Sequence, residues 1–331
     1  MKNSFRKKIV SLALALLTSS CAEEPIVKPE KPVEPYSDTL ASDSNNGEPG
    51  HKALTGIYAE SLQVKSFIQY MVRTHGFSED YLNGLFSNVT RLESVIRLEN
   101  AQGVQGPKLP PSPGSWTRYR KQFLTDAHIN NGVQFWSSNA DVVQKASVTY
   151  GVDPEYIVAI IGVETFFGRN VGKTHTFDAL STLAFDTQRR SKFFTTELEN
   201  FLLMSREESI PAQETVGSWA GALGLGQFMP SSFRKLAVDF DHDGRRNLWQ
   251  PHDAIGSVAH YFAQNGWQPK HPVTEPVRGK AIDDTITLST DHGNEFWRVH
   301  PNFKVIKKYN NSDKYAMAVH QLAQAIKQRY N

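Results

Sequence analysis

The stretch GVDPEYIVAIIGVETFFGR, residues 151–169, decides the fold class of this chain. Residues 156–163 are apolar or glycine without interruption, and a helix that is apolar all round is buried among other elements. Asp153 can cap such a helix, Pro154 suits its first position, and Gly168 is a plausible stop. The stretch therefore predicts a buried helix and, with the helical periodicity of most other segments, a mainly α (α+β) fold.

A single carboxylate, Glu164, falls in the last turn of this predicted helix, directly before two phenylalanines. The negative end of the helix dipole and the apolar neighbours both raise the pKa of a carboxyl group placed there. A carboxylic acid that stays protonated near neutral pH can donate its proton to a glycosidic oxygen. The alternative is that Glu164 is simply the first solvated residue after a buried helix.

The second informative segment is GSWAGALGLGQFMPSSF, residues 217–233, which holds four glycines in ten residues. Their order does not match a phosphate-binding loop, and no Lys-Ser or Lys-Thr pair follows. Such a segment suits a backbone that lies close to a large ligand, with Gln227 offering both a donor and acceptors. A plain turn is the alternative interpretation.

Taken together, IIGVETFFGR, GALGLGQFMPSSF and DGRRNLWQPHDAIGSVAHYF resemble the lytic murein transglycosylase B family of bacterial cell-wall enzymes, which have a lysozyme-like fold. The resemblance runs from about residue 52 to the C-terminus and includes SWTRYRKQF, GVQFW, DALSTLAFD and GNEFW. It implies cleavage of the β-1,4 bond between N-acetylmuramic acid (MurNAc) and N-acetylglucosamine (GlcNAc) in peptidoglycan, with formation of 1,6-anhydro-MurNAc. A hydrolytic muramidase on the same fold and an inactive calcium-stabilised glycan-binding module are the two alternatives.

The resemblance also implies roles for individual residues. Glu164 is expected to be the sole catalytic acid and base, unlike the carboxylate pair of most glycosidases; by residue type alone, Asp178, Asp186 and Glu214 stay open as a second carboxylate. The residues expected to line or flank the cleft are Ser218, Gln227, Tyr261, Tyr119, Tyr309 and Tyr315. Arg189 and Arg190 resemble a pair that meets the peptide stem, although without the family they would be interpreted as a solvated charge pair.

A candidate metal site lies in DFDHDGRRNLWQPHD, residues 239–253. Its first residues follow the calcium-loop pattern, with Asp239, Asp241 and Asp243 at positions one, three and five, Gly244 at the sharp turn, and the backbone carbonyl of Arg245. Position twelve is Gln250, which cannot supply a bidentate carboxylate, and the family implies that Asp253 replaces it. We expect a structural Ca²⁺ with a weak Kd of about 10⁻⁴ to 10⁻³ M, and no organic cofactor. Magnesium is a poorer match, and a solvated acidic turn is the alternative.

The N-terminus predicts export. Residues 1–20 join a basic start to a short apolar run, and Cys21, the only cysteine, follows small residues, as in a bacterial lipoprotein signal. The match is imperfect because Leu17 lies one position further from the cysteine than usual, and ordinary secretion is the alternative. Ala22 and Glu23 favour the outer membrane, so we expect a periplasmic protein bound to the membrane through its lipid alone. With Cys21 acylated, no disulfide forms within the chain.

The remaining organisation follows from composition. Residues 21–51 are rich in proline and acids and are typical of a linker, and residues 52–331 form the catalytic region. Within it we expect a helical layer at 52–105, a surface crossing at 106–115 and a catalytic core at 116–331. DDTITLS and NFKVIKKY predict a small sheet near residues 275–310. The net charge of +2, without a basic cluster, argues against nucleic acid as a partner and leaves glycan strands and peptide stems as the expected ones.

Overall fold

The computed structural model describes residues 52–103, 112–279 and 283–331. The predicted signal, Cys21, the linker and most of the predicted crossing lie outside these residues. Within the described part the chain is mainly helical, as the sequence predicts, and its contacts form two units. Their described parts are residues 52–88 for one unit and residues 89–103, 112–279 and 283–331 for the other. No helix in these ranges combines the length and the apolar character that crossing a membrane requires.

The smaller unit consists of a short 3₁₀ turn and two helices. These are Gly56–Tyr58, α1 (Leu62–His75) and α2 (Glu79–Ser87). The hydroxyl of Ser61 accepts a hydrogen bond from the backbone N–H of Val64, and Ser78 caps α2 in the same way through Tyr81. These side chains satisfy N–H groups that a helix start leaves without partners, so both helices begin where the sequence supplies a serine.

The larger unit contains the remaining helices and all the strands of the described residues. Its helices are α3 (Glu93–Gly103), α4 (Ser115–Arg120), α5 (Asp126–Ser138), α6 (Ala140–Tyr150), α7 (Pro154–Thr165), α8 (Thr176–Phe185), α9 (Ser191–Glu207), α10 (Pro230–Leu236), α11 (Pro251–Gln264), α12 (Pro301–Tyr309) and α13 (Asp313–Tyr330). Its strands are β1 (Thr174–His175), β2 (Val216–Gly217), β3 (Thr274–Val277), β4 (Thr285–Thr290) and β5 (Gly293–Val299). β1 pairs with β2, and the antiparallel sheet has the order β3-β5-β4.

The predicted strand at DDTITLS is confirmed as β4, but the predicted strand at NFKVIKKY is wrong, because residues 301–309 form α12. Pro301 occupies the first helical position, and Asn302, Phe303, Val305 and Ile306 are the buried residues. That spacing buries one face of a helix, whereas a strand would bury alternate residues. The Asn302 side chain bonds both the N–H and the carbonyl of Gln268, which fixes the start of the helix.

The predicted buried helix is α7, which packs against α5, α6, α11 and α13. Residues 157–161 are fully buried, each contributing roughly 1.5–3 kcal/mol where its side chain is large and aliphatic. Asp153 occupies the N-cap position but does not cap the helix. Its carboxylate instead accepts hydrogen bonds from the indole N–H of Trp267 (3.0 Å) and the backbone N–H of Lys270 (3.3 Å), so the predicted cap contact is wrong.

The C-terminal end of α7 also differs from the expectation. The helix ends at Thr165, and Phe166 (φ 52°), Phe167 (φ 59°) and Gly168 (φ 83°) then adopt left-handed conformations in succession. For residues other than glycine this conformation costs on the order of 1–3 kcal/mol each, so the surroundings must hold it. The Phe167 ring lies against α7, where a Cβ at Gly162 would come within 2.5 Å of it. The two phenylalanines thus form the turn that ends the helix, one residue after Glu164, and the Phe167 ring packs back on the helix.

Candidate active site

Glu164 and Tyr315 form the centre of the candidate site. The Tyr315 hydroxyl donates a 2.5 Å hydrogen bond to Oε1 of Glu164. Glu164 is half-buried in the last turn of α7, and Tyr315 is buried in the first turn of α13, where Ser312 caps the helix. Two packed helices therefore bring together a carboxyl group and a phenol that lie 151 residues apart in sequence.

Burial raises the pKa of Glu164 from 4.5 to about 7, and the hydrogen bond from Tyr315 lowers it by a smaller amount. The direction agrees with the sequence expectation, and burial is its main cause. Near neutral pH the carboxyl group can therefore hold a proton that an ordinary glutamate has lost. A group of this kind can both give and take a proton, which is the requirement for general acid and base catalysis by one residue.

An aromatic wall lies beside this pair. Tyr309 donates a 2.5 Å hydrogen bond to the carbonyl of Gly226, and its ring lies 4.6 Å from that of Tyr261 and 5.9 Å from that of Phe228. Burial, and then the negative charge of Glu164, raise the pKa of Tyr309 well above its usual value. The same two causes act in the same order on Tyr315. These phenols therefore keep their protons and act as donors.

Tyr119, in α4, also belongs to the surroundings of Glu164. Its pKa is raised first by burial and then by the charge of Glu164, which shows that the two groups interact electrostatically. Its ring lies 5.3 Å from that of Phe123 and 6.3 Å from that of Trp116. Tyr119, Tyr309 and Tyr315 thus lie within electrostatic range of Glu164, and Tyr261 contacts Tyr309. That these tyrosines line a cleft stays a prediction.

The glycine-rich segment presents Gln227 and Ser218. Gln227 has a left-handed backbone (φ 52°), and its amide nitrogen donates to the carbonyls of Gly224 (2.9 Å) and Val171 (3.2 Å). Both amide hydrogens are used in this way, so Gln227 offers a ligand its carbonyl oxygen but not the donor that the sequence suggests. Ser218 Oγ accepts from the N–H of Ala222 (3.0 Å), and its own hydrogen stays available for donation.

Glycine is required where this segment contacts the candidate metal loop, residues 239–253. A Cβ at Gly224, whose φ is +67°, would come within 2.4 Å of the carbonyl oxygen of Leu248. At Gly226 a Cβ would come within 2.9 Å of the Tyr309 hydroxyl. The glycines therefore let two segments of the protein pack closely against each other. The sequence pattern alone instead indicates space for a ligand.

Arg189 and Arg190 are held by a buried carboxylate that sequence reasoning missed, Glu99 of α3. Arg189 Nη2 lies 2.7 Å from Oε1 of Glu99, and Arg190 contacts both carboxylate oxygens. The Glu99 side chain is fully buried, whereas the Arg189 side chain is 34% exposed and that of Arg190 is 15% exposed. The interpretation as a solvated charge pair is therefore wrong. One available signal was Val95, which is buried one helical turn before Glu99.

The other acidic residues considered as a second carboxylate have different partners. Asp178 accepts a hydrogen bond from the N–H of Thr90, and Asp186 pairs with Arg91. Among the described residues, neither of them nor Glu214 contacts Glu164, whose one hydrogen-bond partner is Tyr315.

Three of the predicted metal ligands converge. Carboxylate oxygens of Asp239, Asp241 and Asp253 all lie within 4.8 Å of one another, so Asp253 and not Gln250 joins the loop. Asp253 is buried in the first turn of α11 and accepts from the N–H groups of Phe240 (2.7 Å) and Asn247 (2.6 Å). Burial raises its pKa, and the charge of Asp241 adds to the effect. Clustered carboxylates of this kind suit a hard cation such as Ca²⁺, which relieves their repulsion.

The rest of the loop supports this arrangement. Gly244 (φ +91°) makes the sharp turn, and its N–H donates to Oδ2 of Asp239 at 2.9 Å. Asp243 lies outside the three-carboxylate group and accepts from the N–H of Arg245 at 2.9 Å. The geometry thus fits a calcium site built on Asp239, Asp241 and Asp253, with Asp243 and Arg245 at its edge.

Comparisons with known proteins agree with this geometry. The family model described as Transglycosylase SLT domain matches residues 59–287 and 280–324. Membrane-bound lytic murein transglycosylase B of Escherichia coli (strain K12) is 40% identical over 359 aligned residues, which cover 97% of this chain and 98% of that protein.

Two solved structures are similar as well. The E. coli lytic transglycosylase SLT35 in complex with calcium has a TM-score of 0.80 and 40% identity, covering 86% of this chain and 98% of its own. SltB3 of Pseudomonas aeruginosa in complex with NAG-anhNAM-pentapeptide has a TM-score of 0.70 and 28% identity, covering 80% and 78%.

Proposed function

Because the chain belongs to the lytic murein transglycosylases of the SLT-domain family, we propose that Glu164 is the sole acid and base of its reaction. The enzyme cleaves the β-1,4 bond between MurNAc and GlcNAc in peptidoglycan and forms 1,6-anhydro-MurNAc. The observation that supports the role of Glu164 is its half-buried carboxyl group, with a pKa of about 7, held by the Tyr315 hydroxyl.

The first step uses protonated Glu164. The carboxyl group donates its proton to the glycosidic oxygen, and the bond between that oxygen and the anomeric carbon of MurNAc breaks. The Tyr315 hydroxyl donates its hydrogen bond to Oε1 of Glu164, and among the described residues no group forms a hydrogen bond with Oε2. Oε2 is therefore the oxygen left to exchange the proton.

The second step uses the carboxylate that the first step leaves. It removes the proton of the MurNAc 6-hydroxyl, whose oxygen forms a new bond to the anomeric carbon and closes the anhydro ring. Glu164 is protonated again, and no water is consumed. The Tyr315 hydrogen bond favours the carboxylate form between the two steps, since it lowers the pKa.

Cleft residues contact the glycan in this proposal. The free carbonyl of Gln227 accepts an N–H or O–H of a sugar, and the Ser218 hydroxyl donates to one. Tyr261, Tyr309 and Tyr119 supply aromatic surface and fixed hydroxyl groups around the reacting bond. Glycan binding therefore does not depend on the Glu164 carboxylate.

Arg189 receives the peptide stem in this proposal, and Arg190 supports it. Glu99 and Gln102 occupy donors of Arg190, whose guanidinium also lies 4.8 Å from the centre of the Phe194 ring. Arg189 binds Glu99 through Nη2 alone and is the more exposed of the two. One buried carboxylate against two guanidinium groups leaves one positive charge for a stem carboxylate.

Calcium is a structural component in this proposal, with Asp239, Asp241, Asp243, Asp253 and the Arg245 carbonyl as ligands. The carboxylates fit the ion, and the related SLT35 is a calcium complex. We keep the expected Kd of about 10⁻⁴ to 10⁻³ M, typical of extracellular modules. The ion neutralises a loop whose carboxylates otherwise repel each other.

We also propose that Cys21 carries a lipid that binds the enzyme to the periplasmic face of the outer membrane. The short apolar run that ends in TSSC supports this, as does the name of the E. coli relative, a membrane-bound enzyme. The proline-rich residues 21–51 would let the catalytic region reach the cell wall from its anchor, since a chain of 31 such residues spans up to about 90 Å when extended.

The mass of the digestion products tests the reaction. Purified peptidoglycan is digested, and muropeptides lighter by one water than those released by a hydrolytic muramidase are expected. Products with reducing muramic ends would reject the transglycosylase reaction and leave a hydrolase on the same fold.

A further inference from the structure

Thr165, the residue directly after Glu164, is almost fully buried at the end of α7. Its hydroxyl oxygen lies 2.9 Å from the carbonyl of Leu225 and 3.1 Å from the carbonyl of Ile161. A hydroxyl has one hydrogen and donates fully to one of these acceptors, and the shorter distance favours Leu225. The end of the catalytic helix is thereby tied to the glycine-rich segment.

Leu225 is a fixed acceptor and not part of a mobile loop. Its N–H donates to the carbonyl of Leu248 at 2.8 Å, and only 5% of the residue is exposed. Leu248 follows Asn247, whose N–H is bound by the Asp253 carboxylate. The backbone of Leu225 is therefore held at its N–H by the candidate metal loop and at its carbonyl by Thr165.

Thr165 also supports the left-handed turn that ends α7. Its hydroxyl oxygen accepts from the N–H of Gly168 at 3.0 Å, and its carbonyl accepts from the N–H of Asn170 at 2.9 Å. Helix ends lack internal partners and fray unless side chains or loops satisfy them. Here the residue that prevents fraying is the neighbour of the reacting carboxyl group.

We propose that Thr165 is a positioning residue of the transglycosylase reaction: its hydroxyl fixes the last turn of α7 to Leu225 and so holds Glu164 against Tyr315. This inference rests on the proposed role of Glu164. Loss of the hydroxyl would let the turn loosen and admit water to Glu164. A displacement of about 1 Å at a reacting group can reduce the rate about 100-fold.

The test compares Thr165→Val, which keeps the shape and removes the hydroxyl, with Thr165→Ser, which keeps the hydroxyl. Thr182→Val is the matched control, because Thr182 is also fully buried and its hydroxyl oxygen accepts a backbone N–H, that of Leu92, away from Glu164. We expect kcat of Thr165→Val to fall about 10- to 100-fold with KM within about twofold, and Thr165→Ser to recover most of it. Thr182→Val should melt earlier and keep the kcat of the parent.

The pH profile separates positioning from a purely structural role. In Thr165→Val better hydration of Glu164 should lower its pKa, so the alkaline limb of kcat/KM should move to lower pH. If Thr165→Val retains the parent's kcat and alkaline limb while it loses stability as Thr182→Val does, Thr165 is structural only. If Thr165→Val does not fold, Thr165→Cys, a weak donor, should give an intermediate kcat, and parental kcat there would overturn the proposal. If the proposed function itself is wrong, the parent enzyme will release muropeptides with reducing muramic ends, which none of the Thr165 outcomes predicts.

Discussion

Two helix ends in the larger unit carry carboxylates that are shielded from solvent, and we propose different chemistry for them. Glu164 lies at the C-terminal end of α7, and its one hydrogen-bond partner among the described residues is the Tyr315 hydroxyl. Asp253 lies in the first turn of α11 and accepts two backbone N–H groups, in a cluster with Asp239 and Asp241. Burial raises the pKa of both groups.

The helix end and the hydrogen-bond donors around each carboxylate determine whether it favours a proton or a cation. At the C-terminal end of a helix the dipole disfavours a negative charge, so the protonated form of Glu164 is favoured. In the first turn of a helix, with N–H groups directed at the carboxylate, Asp253 is suited to remain charged and to bind the cation that we propose for this loop. Burial alone therefore does not distinguish the proposed catalytic acid from the proposed metal ligand. The polar partners and the helix end distinguish them.

Replacement of Glu164, the proposed catalytic acid, should give the largest effect. Glu164→Gln keeps shape and hydrogen-bonding capacity but neither gives nor takes a proton, so turnover should fall by at least about 10³, because each proton-transfer role contributes roughly 10² to 10⁴. Release of anhydro muropeptides measures the effect. Glycan binding should persist, since Ser218, Gln227 and Tyr261 are unchanged. A fully active variant would reject the mechanism.

The same variant tests the cause of the raised pKa. The pKa of Glu164 is higher in the folded protein (about 7) than the usual 4.5, so its contribution to stability is full below pH 4.5 and is lost as the pH rises through about 7. The melting temperature of the parent should therefore fall more steeply between pH 4.5 and 7 than that of Glu164→Gln. Parallel curves would show that Glu164 is well hydrated.

A third carboxylate, that of Glu99, is fully buried and has two cations, Arg189 and Arg190, as its partners. Glu99→Gln keeps the shape but leaves two guanidinium groups without their anion, so the free energy of unfolding should fall by about 3–5 kcal/mol. Denaturant unfolding measures the loss. The matched control on the same helix is Glu93→Gln, because Glu93 forms an exposed pair with Arg91 that is worth at most about 1 kcal/mol. Equal losses in the two variants would show that Glu99 is not buried in solution.

Tyr315→Phe changes the partner of Glu164 without changing its burial. The hydrogen bond lowers the pKa of Glu164, so its loss should raise that pKa above about 7 and shift the alkaline limb of kcat/KM to higher pH. Turnover should fall about 10- to 150-fold, as expected when a hydrogen bond to a charged group, worth about 1.5–3 kcal/mol, is lost between the steps. Tyr150→Phe is the control, since the Tyr150 hydroxyl has no hydrogen-bond partner in the described ranges. An unchanged profile in Tyr315→Phe would remove Tyr315 from the mechanism.

The sequence predicts the elements whose local pattern is strong. The buried helix α7, the position of Glu164 in its last turn and the strand β4 all follow from the pattern of apolar residues, and Pro154 marks the start of α7. NFKVIKKY was misinterpreted because two of its apolar residues, Phe303 and Val305, also alternate as in a strand. Only the packing of α12, with Asn302 bonded to Gln268, selects the helix.

Contacts between distant segments could not be predicted from local pattern. Nothing near Glu164 in sequence indicates Tyr315, which enters through the family resemblance, and Glu99 looks like a solvated residue of an amphipathic helix until Arg189 and Arg190 are brought onto it. The proposed role of Thr165 could not be predicted for the same reason, since it depends on Leu225, which lies sixty residues away in sequence. Polar contacts of this range are set by tertiary packing, so sequence pattern gives candidates and the fold gives their partners.

Calcium should have the smallest effect, and it tests the metal-binding half of the comparison. An ion that binds only the folded protein stabilises it by RT ln(1 + [L]/Kd), about 1.4 kcal/mol at ten times Kd, which is a rise of a few degrees in Tm. With a Kd of about 10⁻⁴ to 10⁻³ M, the rise should appear between about 0.1 and 10 mM calcium. Thermal melting in calcium, compared with melting in chelator, measures it.

Asp239→Asn should abolish this response, because it removes one charge from the three-carboxylate group while an amide oxygen can still accept from the N–H of Gly244. Asp141→Asn is the control, since Asp141 is exposed on α6 and should leave the calcium response intact. Magnesium at the same concentrations should act more weakly, because it demands an octahedral geometry that a flexible carboxylate cluster does not provide. If the parent melts at one temperature in chelator and in 10 mM calcium, the three carboxylates do not form a site, and the first turn of α11 differs from the end of α7 in hydrogen bonding alone.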